Sequence, residues 1–265
     1  MKTKKTNRYG NGLKKFGLCA FTAALISVNV CQPYIYPVYA DDVQEESSAQ
    51  AGIETMYIST VDDFLEFAAN CYIDSWSVNK KIVLRNNLDF TGRELVMVPV
   101  FAGEFDGNGH TISGIDFTGE SYVTAIFRYV EENGVIDSLN VKGNIAALDE
   151  QECVGGIVGS NYGTIKNCSF EGNVSGKKTI GGIAAFNKST GVIKKCEVRG
   201  RITGSYYTGG ITGINHGIIN NCANAAGIND DSAWVESEDE NSSNIIGNIT
   251  GNESSSIRSG IDTGG

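Results

Sequence analysis

Histidine is nearly missing from this chain: there are two, His110 and His216, in 265 residues. That scarcity narrows the chemistry at once. No HExxH is present, which removes the usual zinc-peptidase arrangement of two imidazoles on one helical face. No GxSxG elbow offers an activated serine. No CxxC and no His/Cys cluster supplies metal-ligand spacing, and neither an EF-hand loop nor a Gly-rich calcium nonapeptide occurs. Proline is almost as rare, with Pro33, Pro37 and Pro99 only. Basic residues are in deficit, 21 against 31 acidic, so nothing resembles the cationic stripe of a nucleic-acid reader. The longest apolar run, Leu18 to Val30, is broken by Ser27 and Asn29 and is short for a membrane span.

What the chain does have is glycine, 33 residues of it, and three copies of one phrase. GGIVGSN at 155–161, GGIAAFN at 181–187 and GGITGIN at 209–215 begin 26 and 28 residues apart. Each copy leads to an Ile and, three residues on, a Cys: Ile165 and Cys168, Ile193 and Cys196, Ile219 and Cys222. A unit this short cannot bury a core alone and has to stack on its neighbours. The pattern Ile-x-x-Cys-x-Val/Phe-x-Gly-x-Ile/Val alternates as a strand does, with a corner at the glycine. So much glycine defeats a helical solenoid. A weaker copy precedes, with Ala125-Ile126-Phe127 in the Gly-Ile place and Ile136, Leu139, Val141, Gly143 and Ile145 after it. The expected fold is all-β: a right-handed parallel β-helix with a short capping α-helix at its start.

Residues 1–40 read as a signal peptide. Lys2, Lys4, Lys5, Arg8, Lys14 and Lys15 precede the apolar stretch, and Val38-Tyr39-Ala40 offers a cleavage site. A retained anchor is the alternative. Loss of this segment removes six of the 21 basic and none of the 31 acidic side chains, leaving a net charge of −16. Residues 41–57 read as a disordered linker, 58–228 as the β-helix (clearest over 153–228), and 229–265 as an acidic, Ser-rich tail that is either poorly ordered or a partial last coil. A helix is expected from Val61 to Cys71, capped by Ser59, with Phe64, Leu65, Phe67, Ala68, Cys71 and Tyr72 on its apolar face. Pro99 argues that its strand lies at an end or edge.

The repeats resemble the GLUG motif of bacterial surface proteins and of the non-catalytic part of some immunoglobulin A peptidases, with Ile in place of Leu and Ala185 for the last Gly of the second copy. The resemblance covers about residues 58–228. It implies a right-handed parallel β-helix on an exported bacterial protein, and no single activity.

In such a stack like positions lie one above another, about 4.8 Å apart. Ile157, Ile183 and Ile211 are expected to form one interior ladder, Ile165, Ile193 and Ile219 another, and Cys168, Cys196 and Cys222 a third. The cysteines read as buried free thiols, with an inter-coil disulfide as the alternative; Leu139 in the same slot supports the first. Asn161, Asn187 and Asn215 either form an amide ladder or serve a left-handed turn. His110 and His216 read as solvated turn residues. Tyr162, Tyr206 and Tyr207 are the candidate ligand contacts, expected side by side on neighbouring coils. For a polysaccharide lyase or glycosidase the candidates are Asp89, Asp106, Asp116 and Arg85, although Asp106 in Asp-Gly-Asn-Gly reads as a turn former. The coil cations Lys166, Lys194, Lys195, Arg199 and Arg201 have few carboxylates near them in sequence. The sequence thus favours a non-enzymatic, secreted or cell-surface scaffold or adhesin-like module of a bacterium, without catalytic residues, metal or cofactor. Its expected partners are a host or matrix glycan or protein, with no nucleic acid and with membrane contact only through the signal segment or an anchor. The alternatives are a carbohydrate-active β-helix enzyme and the non-catalytic N-terminal fragment of a larger surface peptidase.

Overall fold

The computed structural model describes residues 52–148, 153–229, 245–247, 249–251, 257–258 and 261–262. The signal segment 1–40, the linker as far as residue 51 and the acidic run 230–244 lie outside the described residues. Within them the chain winds through four parallel sheets, called walls 1 to 4 here, visited in the same order on the coils from Glu104 onward. One full coil is Thr164–Lys166 (wall 1), Ser169–Ser175 (wall 2), Thr179–Gly181 (wall 3) and Ala184–Asn187 (wall 4). The walls contain eight, seven, five and five strands. The parallel β-helix is therefore the fold.

Register explains the repeat. In wall 1, Met56, Ile82, Phe105, Ile136, Ile165, Ile193 and Ile219 are successive Cα partners. From Ile82 to Ile219 this column is fully buried. Leu88, Ile112, Val141, Phe170 and Val198 form its counterpart in wall 2. Ile157, Ile183 and Ile211 are buried and joined coil to coil by backbone hydrogen bonds of 3.0 and 2.9 Å. The bend within wall 2 falls at Gly143, Gly172 and Gly200, all at positive φ. A Cβ on Gly172 would sit 1.8 Å from the Gly143 carbonyl oxygen, so no other residue fits the column there.

The corner between walls 1 and 2 is built by one left-handed residue per coil: Ser138, Asn167, Lys195 and Asn221, each at φ 53°. That decides between the two readings of the other asparagines. Asn161, Asn187 and Asn215 form a buried amide ladder, Asn161 Nδ2 donating to Asn187 Oδ1 at 2.9 Å and Asn187 Nδ2 to Asn215 Oδ1 at 2.8 Å. Left-handed geometry falls instead to the residue before each cysteine. Cys168, Cys196 and Cys222 are free and buried, their thiols directed at main-chain carbonyls. Burial lifts the Cys196 thiol well above its ordinary range.

The first coil would expose its apolar interior to water, and the helix Val61–Asn70 covers it. Phe64, Phe67 and Ala68 face inward, and Phe67 packs its ring against Phe101, Phe105 and Phe127 at 5.9, 5.7 and 6.4 Å. The helix ends one residue before Cys71, its C-cap. The N-cap is Thr60 rather than Ser59. The Thr60 hydroxyl accepts from Asp63 N, and Asp63 Oδ2 accepts from the amides of Ser59 and Thr60. Pro99 lies in Val98–Phe101, the edge strand of wall 4.

One boundary differs from the sequence expectation, and the other follows its partial-last-coil alternative. Glu54–Ile58, of which residues 54–57 are expected in the linker, is the first strand of wall 1. At the far end the stack continues: Ile245–Gly247 pairs with Tyr207–Gly209, Thr250 bridges Thr212, and Ile257 and Ile261 pair with Ile219 and Ala223. Gly247-Asn248-Ile249-Thr250-Gly251 is thus a fourth, worn copy of the phrase, set back by an insertion.

Candidate functional site

The last small residue of the phrase shapes the surface. On wall 3, Val123, Cys153, Thr179 and Tyr207 form one in-register column. On wall 4 the column Arg128, Gly159, Ala185 and Gly213 runs beside it. Val123, Cys153 and Ala185 make a small apolar cluster of their own, with Phe186 against it and separate from the main core. A Cβ on Gly159 would come within 2.1 Å of Val123 Cγ1, and one on Gly213 within 2.7 Å of Thr179 Cγ2. The outer faces of walls 3 and 4 therefore close on one another, and the seam where they meet, called the valley here, runs along the stack. Wall 3 begins with Val123–Thr124, so the older position in the wall 4 column can hold the long side chain of Arg128.

The valley gathers cations and rings. Lys188 Nζ lies 4.1 Å from the Phe186 centroid, the Arg128 guanidinium 5.2 Å from Tyr129 and Lys178 Nζ 5.9 Å from Tyr122. Burial raises the Cys153 thiol, while hydrogen bonds with Thr179 and Tyr122 and the charges of Lys178 and Lys188 work the other way. Both ammonium groups are thus close enough to be felt at one buried sulfur. Arg128 Nε is buried without a hydrogen-bond partner. Among the described residues no carboxylate pairs with Arg128, Lys178 or Lys188.

Several cations on walls 1 and 2 are paired with carboxylates, whereas Lys194 of wall 1 and Lys195 at the corner have no carboxylate partner among the described residues. Lys81 meets Glu104 at 2.8 Å and Asp106 at 3.2 Å, Lys166 meets Asp137 at 3.1 Å, Lys142 meets Glu171 at 2.8 Å, and Arg199 meets Glu197 at 2.6 Å. Burial opposes the charge of Asp137, yet hydrogen bonds from Asn167, Lys166 and Ser138 prevail and hold its carboxyl below the ordinary range.

The residues named from sequence scatter. Tyr162 lies in the turn leaving wall 4, where its amide donates to the Val130 carbonyl. Tyr206 and Tyr207 open wall 3, and Tyr207 pairs with Thr179. All three are half-buried, but Tyr162 belongs to a different corner of the coil and does not stack on the other two. Asp89 accepts from the Thr91 hydroxyl and amide in wall 2, and the hydroxyl bond foremost holds its carboxyl low. Asp106 accepts from the Asn108 amide in wall 1, a turn former as its Asp-Gly-Asn-Gly setting implies. Asp116 is exposed on wall 2, and Arg85 lies over Tyr57 at 3.5 Å. These four do not converge. His110 Nδ1 is 3.3 Å from Asn87 Oδ1, and His216 is an exposed turn residue. Among the described residues no three His, Cys, Asp or Glu side chains gather as metal ligands, and no helix is long and apolar enough to cross a membrane. Sequence reasoning missed Arg128, Lys178 and Lys188 because they obey no repeat. The available signal was the small residue recurring at 159, 185 and 213, which marks a close approach from outside.

Comparison with known proteins bears directly on the coil. Residues 150–175 match the family model described as the GLUG motif. The chain carries a GLUG motif. The matched stretch runs from wall 3 through walls 4 and 1 to the end of wall 2, so the GLUG unit is one turn of the helix. Halomucin of Haloquadratum walsbyi is 35% identical over 85 residues, 31% of this chain and 1% of that protein. A protein of Evansella cellulosilytica described as a Gly-rich membrane protein is 35% identical over 74 residues, 27% of this chain and 8% of that one. The chain thus spans a small fraction of the relatives it matches. A crystal structure from Bacteroides ovatus, described as an immunoglobulin A1 protease, aligns with a TM-score of 0.49 at 20% identity over 66% of this chain and 60% of that chain.

Proposed function

We propose that this GLUG β-helix is an exported, non-enzymatic module of a bacterial cell surface or secreted protein, acting as a scaffold with an adhesin-like binding face. One observation carries the reading. Many polar groups of the coils are spent on one another, as in the buried amide ladder and the Lys81, Lys142 and Lys166 ion pairs, while Arg128, Lys178 and Lys188 gather beside one seam, each against a ring and with no carboxylate partner among the described residues. A surface of that kind holds a ligand without needing to transform it. The GLUG match and the relative described as a membrane protein support a place at the cell boundary.

Two measurements test this. Protease treatment of intact cells expressing the full chain is expected to remove it. The purified chain, offered a panel of polysaccharides, is expected to release no new reducing ends and no unsaturated products. Turnover that disappears in Asp106→Ala or Asp89→Ala would replace the scaffold with a carbohydrate-active enzyme.

A further inference from the structure

We infer that the valley between walls 3 and 4 binds a chain of carboxylated sugars laid along the helix axis; this rests on the binding-module reading and names its ligand class. Three features of the valley lead there. First, its described charges contrast with the whole: the chain has a net charge of −10, yet Arg128, Lys178 and Lys188 stand beside the valley with no carboxylate partner among the described residues. At physiological ionic strength fields are screened beyond about 8 Å, so a ligand in contact with these three cations feels them more than it feels remote acidic residues. Second, Arg128 Nε is a buried donor without a partner, and a guanidinium fork matches a carboxylate in two parallel hydrogen bonds.

Third, each cation is coupled to a ring: Lys188 to Phe186, Lys178 to Tyr122, Arg128 to Tyr129. A uronic acid has the matching pair of features, an apolar C–H face and a carboxylate at its edge. In the free protein the ammonium groups rest against the rings. A bound carboxylate draws the cation aside, and the sugar face takes its place on the ring. An acidic peptide would satisfy the cations and leave the rings uncovered, and a neutral glycan would do the reverse. Tyr122 and Lys178 flank strands two coils apart in the wall 3 register, so the cations and rings are spread along the helix axis and suit an extended polymer.

The test is titration calorimetry of the full chain at physiological salt with polygalacturonate, dextran of similar length and poly-glutamate. Polygalacturonate is expected to bind, dextran not to, and poly-glutamate to bind at least about tenfold more weakly for want of ring contacts. Replacing Lys178 and Lys188 together by Ala should weaken polygalacturonate by about tenfold or more, and Phe186→Ala should act in the same direction. The double Arg replacement should restore binding, and Lys142→Ala on wall 2 should leave it unchanged. An unaltered thermal melt identifies the folded variants. Equal affinity for poly-glutamate, a double Ala variant that binds as the parent does, or no binding of polygalacturonate would overturn the inference. Those results leave the scaffold reading standing. Cleavage of the polymer would sink the scaffold reading instead, whatever the affinity.

Discussion

Lys195 occupies the left-handed corner that Asn167 and Asn221 fill on the adjacent coils, and it does so without an asparagine's local hydrogen bonding. A side chain with a Cβ costs about 1 kcal/mol or more in that region, and Asn tolerates it better. Lys195→Asn should therefore raise stability by a fraction of that amount, read as a higher midpoint in urea. Asp137 gives a pH prediction. Its carboxyl is held low in the folded chain, so its contribution is complete above the ordinary carboxylate range and is lost as pH falls through the folded value. Asp137→Asn should flatten that part of the acid side of the stability profile while leaving the alkaline side alone. At this scale the sequence misled only slightly. The cap moved from Ser59 to Thr60 because both offer a hydroxyl, and only the reach of Asp63 back to both amides tells them apart.

At the scale of elements, the helix and the valley corner carry the most weight. Phe67 touches several rings of the first coils at once, so Phe67→Ala should cost about 3 to 5 kcal/mol and loosen the covered end before the distant coils. The corner is tested by volume. Gly159→Val places bulk against Val123 and should destabilise by about 1 to 3 kcal/mol, and Val123→Ala in the same chain should recover part of the loss. The inward elements were legible because burial writes a period into the sequence: Ile165, Ile193 and Ile219, and the bend at Gly172 and Gly200, fall where spacing puts them. Strand Glu54–Ile58 was not. It is mostly exposed, and the residues that make it a strand, Lys80–Leu84, lie beyond a helix. The valley escaped for a similar cause, since Cys153 and Ala185 meet through outward faces.

Over the whole molecule, stability follows neighbour to neighbour, since each coil touches chiefly the coils above and below. Removal of residues 230–265 deletes the pairing of Tyr207–Gly209 with Ile245–Gly247 and the hydrogen bond from the Ile211 amide to the Ile249 carbonyl. Hydrogen exchange should then speed up at residues 207–222 while amides near 127–166 keep their protection; uniform loss would mean one cooperative block. The amide column formed by Asn161, Asn187 and Asn215 has a sense. Asn161 and Asn187 each hand a hydrogen forward, and at the rear Asn161 Oδ1 has no donor because Val130 stands in register behind it. A duplicated storey inserted within the column would find a giver on one side and a taker on the other, so lengthening by unequal crossing-over meets no chemical obstacle there. Reach from its base would then be a heritable quantity, adjustable in steps of about 4.8 Å.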